Sequence, residues 1–373
     1  MRVGVIGGGI VGSAIAATIK RYHPTTTKVT IIDDKHKRPH QTSQAGQGYL
    51  WSIHRCVDIN AANANGPHEN VSSMPSSLEY SLEAKEAWLQ LLGDCAESLL
   101  QKRGSLLVAP SSSKEQLEDY HEIVRHLLGS TDVTFLPDAS TCNPVLLPSV
   151  CGIYYKGNDY TCNPPLLIDA LMEMYDIDLE YRTVTVESLK EVKENFDCVI
   201  CCTGPWIKEL NHNLNVEPVR GVLMQLSPGS RTKKNANNYM GVDTDTDIDQ
   251  YIPMMEFGYG SLGIHFTLSP RNGLWLLGAS REEVDFSTDG LEDIMKKLVD
   301  RSHQFVHSDT FGPIHSSKIG FRPAHYDYND TTKKDKIPFQ IKCEDDVIFC
   351  YGFEGEIGKC SCIYYIYYIS LNI

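Results

Sequence analysis

The chain has 373 residues, 42% hydrophobic and 22% charged, which points to a globular protein with two cores rather than one. Its formal charge of -14 argues against nucleic acid or an anionic membrane surface as the main partner. The 12 cysteines are scattered rather than grouped as a disulfide framework, so reduced thiols and a cytoplasmic setting are expected unless a transit peptide precedes this chain.

The first segment, RVGVIGGGIVGSAIAATIKRYHPTTTKVTIIDD, carries the strongest signal. Val3, Val5 and Ile6 predict a short buried strand. Gly7-x-Gly9-x-x-Gly12 follows directly, then a helical run through Ala14, Ile15, Ala17, Thr18 and Ile19, then a second strand ending at Asp33. Each glycine has its own task. Gly7 permits the tight turn, Gly9 lets a pyrophosphate approach the backbone, and Gly12 lets the helix pack closely on the sheet. The helix start offers free N–H groups to phosphate, and Asp33 would accept hydrogen bonds from a ribose. Strand, glycines, helix, strand and acid in this order point to a bound dinucleotide. The motif alone does not separate NAD from FAD.

Further along, Leu78, Leu82, Leu89, Leu92, Ala96 and Leu99 recur at helical spacing and predict one long helix over about 75–100. GPHENVSSMPSS before it and DYNDTTKKDK near the end predict surface loops. FDCVICC predicts a buried strand. Its Cys198-x-x-Cys201 pair reads as small apolar side chains, because no second pair completes a zinc site.

Several segments, taken in order, carry a family likeness: QTSQAGQGYLW, EYRTVTVESLK, FDCVICCTGPWIKEL, VEPVRGVLMQL, NGLWLLGASREEVDF and SKIGFRPAHYDY. Together with the glycine motif they resemble the D-amino-acid oxidase, glycine oxidase and sarcosine oxidase family of FAD enzymes. The resemblance implies an α/β fold, with a Rossmann-like FAD-binding domain interleaved with a smaller antiparallel-sheet (α+β) substrate domain whose helices lie on one side. The FAD-binding domain would take residues 1–103, 151–215 and 315–373, and the substrate domain 104–150 and 216–314. Thr42, Ser43, Ala45 and Gly46 would contact the cofactor. Val184 would touch the adenine from a strand, and Thr203, Gly204 and Trp206 would lie close to the FAD.

The same resemblance implies oxidation of the C–N bond of an amino acid or secondary amine by hydride transfer to flavin, with O₂ as acceptor. Arg322, in Gly-Phe-Arg-Pro, would clamp a substrate carboxylate, since a planar fork suits that bidentate task. The competing reading is a structural arginine paired with an acid at the domain interface. Tyr251 would reach the same carboxylate or else pack in the core, and His265, His325 and Tyr326 could face the ligand, although a lone His or Tyr is more often structural. Gln44 stands where flavin-linked relatives carry a histidine, so the FAD is expected to be non-covalent. An NAD(P)-linked dehydrogenase would leave TSQAGQ and GFRP without a purpose.

The ending is harder to place. Gly352 and Gly355, in YGFEGE, resemble the family's loop that closes the flavin site before a final helix. From Ile357 the pattern breaks, and IYYIYYI has no helical face. The run Cys360–Ile373 is too short and too rich in Tyr to span a bilayer. Weak FAD binding and poor turnover are therefore expected of this ending, with a truncated, non-catalytic family member as the alternative.

Overall fold

The computed structural model describes residues 1–25, 27–34, 41–53, 56, 76–129, 131–232, 254–257, 266–327, 335–336 and 339–353. In chain order it begins with β1 (Arg2–Ile6), α1 (Ile10–Tyr22), β2 (Lys28–Asp33), α2 (Thr42–Ala45), β3 (Tyr49–Leu50), α3 (Ser76–Leu92), β4 (Leu100–Lys102) and β5 (Ser105–Pro110). The middle holds α4 (Lys114–Leu128), β6 (Val133–Leu136), β7 (Val150–Tyr155), β8 (Tyr160–Cys162), α5 (Pro164–Met174), β9 (Asp178–Tyr181), α6 (Val186–Asn195) and β10 (Cys198–Cys201). The rest comprises β11 (Val216–Pro228), β12 (Met254–Phe257), β13 (Phe266–Arg271), β14 (Leu274–Gly278), α7 (Leu291–Ser302), β15 (Phe311–Asp327), β16 (Asp335–Lys336), β17 (Gln340–Glu344) and β18 (Val347–Tyr351).

One sheet has the order β17-β18-β10-β1-β2-β9, parallel except for β17 at its edge. Its inner strands are buried on both faces, as a sheet covered by helices on each side requires. Ala14, Ile15 and Ala17 of α1 pack with Val3, Val5 and Ile200 on one face, while Leu189 and Val192 of α6 pack with Ile6, Ile32 and Val199 on the other. The predicted strand around Val184 ends earlier, at Tyr181. Thr185 and Ser188 form a reciprocal capping box that starts α6, leaving Val184 buried in the linking turn. The long predicted helix is also shorter. It breaks at Gly93, whose φ of 52° takes it out of the right-handed helical region, and resumes only as a short turn, Ala96–Leu99.

A second sheet has the order β16-β15-β11-β14-β13-β12-β5-β7-β6, antiparallel except between β12 and β5. The expectation of helices on one side does not hold. Leu107 and Ala109 of β5 pack with Leu117 and Val124 of α4, whereas Leu106 and Val108 share a cluster with Leu298 of α7. Since β5 is apolar on both faces, each face takes its own cover. No helix among the described residues is long and apolar enough to cross a membrane.

A buried ion pair ties α3 and the β3-β8-β4 ribbon to β5. Lys85 Nζ lies 2.7 Å from Asp159 Oδ1, with the two side chains 6% and 0% exposed. The same carboxylate accepts from the Ser52 backbone at 2.9 Å, the Ser52 hydroxyl at 3.0 Å and the Ser105 hydroxyl at 2.5 Å. The charges are therefore compensated, and removing one partner strands the other without water. Asp159→Asn is expected to destabilise the chain by about 3–5 kcal/mol in denaturant titration, with Lys85→Met/Asp159→Leu less damaging than either single change.

Candidate active site

The carboxyl ends of β1, β2, β10 and β18 open onto one cleft. Ligands of doubly wound sheets bind at such a crevice, between strands whose connecting helices leave to opposite faces. Gly7 and Gly9 line it after β1, Asp33 at the end of β2, Thr203, Gly204 and Trp206 after β10, and Cys350, Tyr351 and Phe353 from β18 onward. Thr42 and Ser43 of α2 close another side, with Pro323 of β15.

The turn between β1 and α1 is drawn in very tightly. Gly7 has φ of 109°, and a Cβ there would stand 2.5 Å from the Cys202 carbonyl oxygen. A Cβ on Gly12 would stand 2.0 Å from the Gly7 oxygen. Asp33 Oδ1 accepts from the Gly8 N–H at 3.1 Å, which holds the carboxylate beside the turn. At the start of α1 the N-cap is Gly9, which has no side chain to satisfy the first N–H groups. Ser43 takes up that task from another segment, its Oγ accepting from the Ile10 N–H at 3.0 Å. Thr42 donates its hydroxyl to the Phe321 carbonyl and so ties α2 to β15.

Thr203 and Tyr351 line the cleft from the other side. Thr203 is buried, and its hydroxyl has no hydrogen-bond partner among the described residues. Such a group is costly unless a ligand or water satisfies it. Burial pushes the Tyr351 hydroxyl up from its ordinary range, so it remains a phenol at neutral pH. Trp206 stacks on Phe286 with ring centres 5.4 Å apart and an angle of 15°. A helix start, a carboxylate at the end of β2 and an unsatisfied hydroxyl together fit a dinucleotide.

The remaining predicted residues that are described do not line the cleft. Gly12 sits beneath Gly7, Gly46 ends α2, and Gly352, with φ of 84°, falls between the lining residues Tyr351 and Phe353. Ala45 meets β15 where a Cβ on Gly320 would come within 2.8 Å. Val184 belongs to the core beneath the sheet. Arg322 is half-buried on the face of β15 opposite Pro323. Its guanidinium lies over Gly221, and Nη1 donates to the Ser280 carbonyl at 2.9 Å. Tyr326 bonds Glu283 at 3.1 Å, and His325 packs edge-on against Tyr351. Tyr251, His265, Gly355 and the ending from Ile357 lie outside the described residues.

Sequence reasoning missed Ile10, Val11, Gln41, Cys202, Pro205, Pro323 and Cys350 as lining residues, and reached Tyr351 and Phe353 only through the YGFEGE loop it set at the flavin site. The apolar run VIFCY followed by glycine was the available signal for Cys350, since it mirrors β1 and its turn. Cys198 and Cys201 point to opposite faces of β10, into different core clusters, and so cannot share a metal ion. Burial pushes the Cys198 thiol up to about 11.

Comparison with known proteins agrees with this geometry. Residues 2–357 match the family model for FAD dependent oxidoreductases, DAO. The fold is similar to iminodiacetate oxidase from Chelativorans sp. BNC1, with a TM-score of 0.70 and 14% identity over 99% of this chain and 94% of that one. It is similar to glycine oxidase from Geobacillus kaustophilus, with a TM-score of 0.66 and 16% identity over 100% and 95%. It is also similar to L-alpha-glycerophosphate oxidase from Mycoplasma pneumoniae with FAD bound, with a TM-score of 0.68 and 18% identity over 100% and 94%. The match over nearly the whole chain makes FAD the cofactor and removes the NAD(P)-linked alternative: this chain belongs to the DAO family of FAD-dependent oxidoreductases.

Proposed function

We propose that this chain oxidises the C–N bond of a small amino acid or secondary amine, using FAD held non-covalently in the cleft. The observation that carries the cofactor assignment is the convergence of Asp33, the start of α1 with Ser43, and the unpartnered Thr203 hydroxyl on one space. Asp33 holds the ribose hydroxyls. The N–H groups at the start of α1, with Ser43, hold the pyrophosphate across the bare Gly7-x-Gly9 turn. Thr203 gains the partner it lacks, Gly204 and Trp206 complete that wall, and the Thr42–Gly46 segment forms the opposite one. Bound FAD supplies the two-electron acceptor.

The substrate assignment rests on Arg322 and on the GFRP resemblance, supported by glycine oxidase and iminodiacetate oxidase as structural relatives. Arg322 binds the substrate carboxylate. Its bond to the Ser280 carbonyl fixes the plane of the fork before substrate arrives, so less freedom is lost on binding. Tyr251 adds a second contact to that carboxylate. A neutral amine presents its Cα–H toward the cleft, and the imine formed hydrolyses in water. O₂ is the acceptor that reoxidises the enzyme. The parallel sheet lies within the cofactor domain, which we assign to residues 1–103, 151–215 and 315–373, and residues 104–150 and 216–314 form the substrate domain, whose large sheet also takes in β7 and β15. The ten described cysteines are free thiols, which supports a reducing cytoplasm as the place of work.

Protein purified with added FAD is expected to show visible flavin absorption, and acid precipitation should leave the flavin in the supernatant. A colourless protein, or flavin that stays with the pellet, would count against a dissociable cofactor. Arg322→Met is expected to weaken a carboxylate-bearing competitive ligand about 10- to 100-fold, the loss of one or two charge-assisted hydrogen bonds. FAD affinity, measured by flavin fluorescence, should stay nearly constant. Equal loss of both would make Arg322 a structural residue.

A further inference from the structure

Phe286 is 43% exposed, in the acidic stretch REEVDFSTD between β14 and α7, and nothing in the reaction yet uses it. The segment that carries it is fastened by a buried arginine. Arg220 of β11, with a side chain 4% exposed, places Nε 2.9 Å from Glu282 Oε2. Its Nη1 donates to the carbonyls of Ser287 and Asp289, both at 2.8 Å. The two backbones also exchange hydrogen bonds, Arg220 N–H to the Glu282 carbonyl at 2.8 Å and the reverse at 3.0 Å. A turn closed by the Ser287 N–H on the Val284 carbonyl at 3.1 Å then carries Phe286. It stacks on Trp206, whose indole lines the cleft, and meets buried Phe321 edge-on at 5.1 Å.

We propose that Phe286 is a positioning residue for the cofactor, acting through Trp206, with Arg220 holding the segment in place. The inference rests on the reading of the cleft as the FAD site. An indole on a cleft wall can swing outward unless its outer face is covered. Phe286 covers that face from the solvent side and Phe321 braces Phe286 from beneath. Arg220 suits the fastening role because its fork reaches one carboxylate and two carbonyls at once, which an ammonium cannot do in one plane.

Titration of apo-protein with FAD, followed by flavin fluorescence, tests this. Phe286→Ala is expected to raise the FAD dissociation constant about three- to tenfold, the size of one lost aromatic pair, and Phe286→Tyr should restore wild-type affinity. The melting temperature of the apo-protein should fall only slightly, because Phe286 is 43% exposed. In a Trp206→Leu background, Phe286→Ala should cost little or nothing more, the non-additivity that marks two residues acting as one. Unchanged affinity in Phe286→Ala, or an undiminished loss in the Trp206→Leu background, would overturn the proposal while leaving the cofactor site intact. A wild-type chain that takes up no FAD would overturn both.

Discussion

No side chain fits where β1 hands over to α1. The helix must come down until Gly12 touches the backbone of Gly7, and Gly7 must in turn sit against the carbonyl of Cys202. The turn, the helix that follows it and the distant end of β10 therefore meet backbone to backbone, and the cleft exists because they do. A methyl at either glycine would lift α1 from the sheet or push β10 aside. Either shift would separate Ser43 from the Ile10 N–H it caps and move Thr203 off the opposite wall.

The part of this arrangement that was legible in the sequence is the part whose demands are local. Glycine spacing, a strand before it and an acid after it report on contacts within about thirty residues. The C-terminal wall was harder to see. VIFCY reads as a buried strand anywhere, and only its long-range parallel pairing with β10 places Tyr351 in the cleft. Val184 was misplaced because T-V-T-V alternates like a strand, while the competing helix start at Thr185 depends on a serine three residues on. Gly93 likewise outweighed a sound helical period. Phe286 gave no signal, since an aromatic in an acidic turn shows its purpose only when Trp206 is seen beside it.

Two arginines on paired strands show how register divides labour. Arg220 stands opposite Phe321 and Val219 opposite Arg322, so the two guanidinium groups fall on opposite faces of the same sheet. One is enclosed, fixed by a carboxylate and two carbonyls. The other is half open, held over Gly221 and bonded to the Ser280 carbonyl. Identical side chains become an enclosed fastener on one face and a half-open guanidinium on the other, and the strand alternation decides which.

That alternation has a consequence for how such an enzyme could change over time. β15 runs unbroken from Phe311 to Asp327. It meets α2 at Gly320, accepts Thr42 at Phe321, carries Arg322 on one face and gives Pro323 to the cleft on the other. Arg322 and the cleft-lining Pro323 are thus one step of extended backbone apart, about 3.3 Å. A single-residue insertion ahead of Gly320 would exchange the two faces and displace both side chains together. Substitutions in the surrounding loops carry no such penalty. Diversification of substrates in a fold built this way is therefore free to act on the walls of the binding chamber, while the spacing between donor and acceptor is inherited as one indivisible unit.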